Sequence, residues 1–72
     1  MGLREFRKGR GLTLEAVAYL AGTDPSAASR WERGLTRPGP HATVRLARAL
    51  GISVARLERL LAEARDGAAA TG

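Results

Sequence analysis

Apolar positions recur at helical spacing along most of the chain. Leu14, Val17, Ala18 and Ala21 fall at i, i+3, i+4 and i+7, one face of a helix. Thr13 stands just before them as a side-chain N-cap, and Ala16 in place of an acidic residue leaves the capping box incomplete. Val44, Ala47 and Leu50 make a second stripe, flanked by Leu46. Val54, Leu57, Leu60, Leu61 and Ala64 make a broader one, opposite Arg56, Arg59 and Glu63. Leu3 with Phe6, and Ala28 with Trp31, mark the inner sides of two shorter segments. Gly9, Gly11, Gly22, Gly34 and Gly51 close segments, while Asp24-Pro25, Pro38-Gly39-Pro40 and Ser53 open them. No stretch alternates with period two, and β-branched residues are sparse. The pattern predicts an all-α domain of five short helices over residues 1–66, the last ending near Asp66. Residues 67–72 are small and featureless and read as a flexible tail.

Length and composition narrow the function classes. A chain of 72 residues is one small domain without room for a deep substrate cavity. The net charge is +5, which suits a polyanionic partner, either nucleic acid or an anionic membrane surface. Of 12 basic residues, 11 are arginine and Lys8 is the one lysine. Arginine's fork fits phosphate and guanine edges, although a GC-rich genome also yields this excess. There is no cysteine, hence no disulfide scaffold, cysteine-ligated zinc or thiol nucleophile. No apolar run spans a membrane, and no apolar stretch follows the basic N-terminus as a signal peptide would require. The arginines are spread over several helices, which disfavours a membrane-surface element.

Two charges fall on inner faces. At about 100° per residue, Arg7 and Arg10 share the side of Leu3 and Phe6, and Glu32 falls near Trp31. An inward charge is costly unless paired, so Arg7 is expected to meet Glu32 and tie the first helix to the third.

The third helix has a small, cationic outer face. Ser26, Arg30 and Arg33 lie opposite Ala28 and Trp31, with Ser29 at one side and Ala27 at the other. Such a helix can enter the major groove of B-DNA, where arginine reaches guanine O6 and N7. The second helix, the Gly22-Thr23-Asp24 turn and the third helix together have the form of a helix-turn-helix.

The residues Leu3-Arg4, Arg7, Gly11-Leu12-Thr13, Val17-Ala18, Gly22, Ser29-Arg30-Trp31-Glu32-Arg33-Gly34, Pro38 and Leu46 to Ser53 closely resemble the Cro/C1-type helix-turn-helix family. These are the lambda-repressor-like, or XRE, domains. The resemblance covers about residues 2–62. It implies a five-helix domain that binds DNA as a transcriptional regulator, usually a repressor, as a dimer on a palindromic operator. It implies base contacts from Pro25, Ser26, Ala27 and Arg30, and an ion pair of Arg7 with Glu32. Phosphate contacts are implied at Thr13, Leu14 and Arg37 with its neighbours. It also implies a cytoplasmic protein of bacterial or phage origin, bound to the nucleoid.

This chain departs from the family pattern at two positions. Leu14 stands where many members carry a phosphate-clamping glutamine, and its spacing assigns it to the core. Pro25 has no N–H to donate. Direct base readout then rests on Ser26 and Arg30, with Ser29, and with a methyl contact from Ala27 to thymine. Thr13, Arg10, Arg33 and Arg37 are the phosphate candidates. Arg45, Arg48, Arg56 and Arg59 read as solvated faces. Leu57, Leu60 and Leu61 either fill the core or meet a second copy. A protein-interaction module, antitoxin or adaptor, is the alternative function, with Tyr19, Leu20 and Leu60 as its surface. His41 alone makes no metal site. No triad, phosphate-cradling loop or paired carboxylates appear, so neither catalysis, a cofactor nor a small-molecule ligand is expected.

Overall fold

The computed structural model describes residues 1–71, with side chains described through Glu63. Its elements are α1 (Leu3–Gly9), α2 (Leu14–Ala21), α3 (Pro25–Glu32), α4 (Pro40–Leu50) and α5 (Val54–Thr71). The described residues contain no strand. Helix boundaries follow the punctuation of the chain. Thr13 Oγ1 accepts from the Ala16 N–H at 3.0 Å, and Asp24 Oδ1 from the Ala27 N–H at 2.8 Å. Ser53 Oγ accepts from the Arg56 N–H at 3.0 Å. Pro25 and Pro40 occupy first-turn positions, where a missing N–H costs nothing.

α2 packs against α3 and α4, and α5 packs against α1, α3 and α4. Leu3, Val17, Leu46 and Leu57 are the largest fully enclosed side chains, with Phe6, Trp31, Leu50, Leu60 and Leu61 around them. Ala18, Ala21, Ala28 and Ala47 complete this core, their small side chains allowing close helix approach.

Three expectations change here. On α4 the buried stripe is Thr43, Leu46, Ala47 and Leu50, whereas Val44 is 43% exposed. Thr43 can enter the core because its hydroxyl donates back to the Gly39 carbonyl at 2.8 Å, hiding its polarity. Leu57, Leu60 and Leu61 are all buried within the single chain and chiefly fill its core, with only the edges of Leu60 and Leu61 reaching surface hollows. The helical trace of α5 continues past Asp66 to Thr71, through the segment read as a tail. Its three consecutive alanines are strong helix formers. Gly72, and the side chains of that segment, lie outside the described residues.

Candidate nucleic-acid interface

The interface is built where the first turn of α2 meets the outer face of α3. Gly22 makes the tight turn between them, with φ of +76° and ψ of +32°, a left-handed conformation that side chains with a Cβ resist. A Cβ there would also lie 3.3 Å from Arg45 Nε. That guanidinium donates to the Leu20 carbonyl at 3.2 Å, satisfying an otherwise orphan group at the end of α2.

A single arginine fixes the rest of the arrangement. Arg7 Nε donates to Glu32 Oε2 at 2.6 Å, and an Arg7 terminal nitrogen donates to Glu32 Oε1 at 3.1 Å. The other terminal nitrogen donates to the Leu12 carbonyl at 2.9 Å. The pair is largely enclosed, and hydrogen bonding to Glu32 raises Arg7 above its ordinary pKa against the opposing effect of burial. The sequence places the two charges on inner faces but does not indicate the third bond. Through Leu12, Arg7 holds the loop that leads into Thr13, and through Glu32 it holds α3. The start of α2 and the end of α3 are therefore anchored on one guanidinium.

Ser26, Arg30 and Arg33 share the outer face of α3, and all three are exposed. Arg33 Nε lies along its own helix, 3.4 Å from the Ser29 carbonyl, leaving its terminal nitrogens free. Thr13 is exposed, and its hydroxyl accepts from Ala16 while retaining a proton to donate. Arg37 is exposed on the loop between α3 and α4. Among the described residues, neither Arg30 nor Arg37 has an ion-pair partner.

Two of the contact candidates, Arg10 and Ala27, are partly engaged within the domain. Arg10 Nη1 donates to the Leu50 carbonyl at 3.1 Å, and its guanidinium lies over the Phe6 ring, 4.6 Å from the centroid. It therefore caps α4 and lies over Phe6 while the residue stays exposed. Ala27 is half-buried and packs against the core. It lies about 40° around the helix from Trp31 and about 60° from Arg30, between the inner and outer faces.

Leu14 packs in part against the core, as its spacing predicts, and in part faces out beside α3. Leu14, Pro25, Ser26, Ser29, Arg30 and Arg33 line one open hollow of about 380 Å³. The signal for this was its place directly after the N-cap, at the helix end nearest the groove-facing surface.

Among the described residues there is no cluster of three metal-ligating side chains, and no helix is long and apolar enough to cross a membrane. No curated protein and no solved structure matches the chain. The family model described as a helix-turn-helix domain matches residues 2–60, well over half of the chain. With the α2–turn–α3 unit, its anchored outer face and that match, the chain belongs to the helix-turn-helix domain family of the Cro/C1-like type and is a DNA-binding domain.

Proposed function

We propose that the domain reads double-stranded DNA sequence-specifically and regulates transcription, acting as a repressor by occupying a palindromic operator. α3 lies in the major groove, with Ser26, Ser29 and Arg30 toward base edges. Thr13, Arg33 and Arg37 hold the backbone on either side. The observation carrying this reading is the outer face of α3, small, cationic and without an internal partner at Arg30, set flush with the start of α2 by Arg7.

Few side chains read bases here, so one copy distinguishes few base pairs, and two copies on two half-sites supply the remaining specificity. The leucine face of α5 is mostly buried, and the surface for the second copy takes in only the edge of Leu61 from that face. That surface is the open groove walled in part by Pro38, Pro40, Val44 and Val54. Of the residues offered for the adaptor reading, Tyr19 is 80% exposed, Leu20 is half-buried against the core and Leu60 is buried, so the DNA reading is favoured. A single exposed aromatic is ordinary.

Selection of bound duplexes from a random library tests this reading. Enrichment of a two-fold-symmetric site is expected. Recovery of unenriched sequence, or of single unrepeated half-sites, contradicts it.

A further inference from the structure

The hollow between α2 and α3 has a chemistry that the polar readers do not explain. Four of its six lining residues, Ser26, Ser29, Arg30 and Arg33, are polar or cationic. The other two, Leu14 and Pro25, are apolar and are the first residues of α2 and α3. Leu14 is half-buried, packed in part against the core at the very start of α2. Its exposed part therefore sits in the middle of a surface shaped to receive a polyanion.

An apolar patch at that place stabilises a complex only if the ligand presents apolar surface opposite it. The major groove offers donors and acceptors at every base pair, but its one apolar group is the C5-methyl of a pyrimidine. Thymine carries it in ordinary DNA, and 5-methylcytosine carries it in modified DNA. Arg30 on the rim of the same hollow would at the same time reach a guanine of the neighbouring pair.

We infer that Leu14, with Pro25, forms a pocket for a pyrimidine C5-methyl group, making Leu14 a specificity-determining residue. The inference rests on α3 being the major-groove reader. It moves methyl recognition from Ala27 to the α2–α3 junction: both Ala27 and Leu14 pack in part against the core, but of the two only Leu14 lines the hollow.

The test uses the full chain and the duplex enriched from a random library. Each thymine is replaced singly by deoxyuridine, and affinity is measured by fluorescence anisotropy. At one thymine in each half-site the loss of the methyl should weaken binding about four-fold. Leu14→Ala should bind more weakly and no longer distinguish thymine from uracil there, while Leu14→Met should retain the distinction. Circular dichroism confirms that each variant is folded. If Leu14→Ala does not fold, Leu14→Gln is read on the same duplexes, and loss of the distinction is again expected. Placing 5-methylcytosine against plain cytosine at that position separates the two sources. A gain matching the thymine effect assigns the pocket to the methyl alone, and a gain confined to thymine assigns it to that base. Indifference to uracil at every position overturns the inference, as does a preference that survives unchanged in the Leu14 variants. Absence of any enriched duplex would overturn the DNA-reading assignment itself, a different failure.

Discussion

At the Arg7–Glu32 pair the side chains are only 11% and 6% exposed, so removing either leaves a charge with little water to replace its partner. Glu32→Ala should cost about 3 kcal/mol, since Arg7 would stay enclosed and charged. Glu63→Ala, at an exposed pair with the Met1 amino group, should cost less than about 1 kcal/mol. Urea denaturation of both variants checks this, and equal small losses would contradict the role given to Arg7. The same scale separates the arginines by task. Arg7, Arg10 and Arg45 are tied to carbonyls at helix ends or loops, and none of the three is expected to govern DNA affinity. Composition counts all of these charges alike: the net +5 is unchanged by the Arg7–Glu32 pair, and it does not say which arginines are free to point at a polyanion.

The helices themselves were largely legible. Caps, first-turn prolines and closing glycines mark helix ends by local chemistry, which acts within a few residues and is visible in the sequence. The differences arose where two faces of one helix compete. On α4, hydrophobicity favours Val44 as the inward residue, but Thr43 takes the place because an i−4 hydrogen bond satisfies its hydroxyl. On α2, Leu14 fits the apolar stripe yet lies at the helix end, where the core no longer covers it fully. On α5, the breadth of the apolar face suggested a spare surface, but α1, α3 and α4 all pack on that helix. None of these follows from one helix read alone. The turn between α2 and α3 carries its own expectation. Gly22→Ala should destabilise the domain by about 1–2 kcal/mol, because an alanine resists the left-handed backbone. An unchanged denaturation midpoint would contradict this.

For the whole molecule the question is how so small a surface achieves selectivity. The proposed answer is two copies on two half-sites, meeting through the groove beside Val44. Val44→Glu should leave the monomer's melting temperature almost unchanged, because the residue is already 43% exposed. It should reduce cooperative occupancy of a two-half-site duplex, measured by analytical ultracentrifugation with and without DNA. Unaltered cooperativity would place the second copy elsewhere.

The most direct measurement is a salt series of affinities on the enriched duplex and on a scrambled one, for the native chain, Arg30→Ala and Arg37→Ala. Arg30→Ala should lose about 10-fold on the enriched duplex and little on the scrambled one. Arg37→Ala should weaken both alike and reduce the salt dependence by about one phosphate contact. Equal losses on both duplexes for Arg30→Ala, or affinities of the native chain that do not fall with salt, would contradict the assignment of α3 as the reader of DNA sequence.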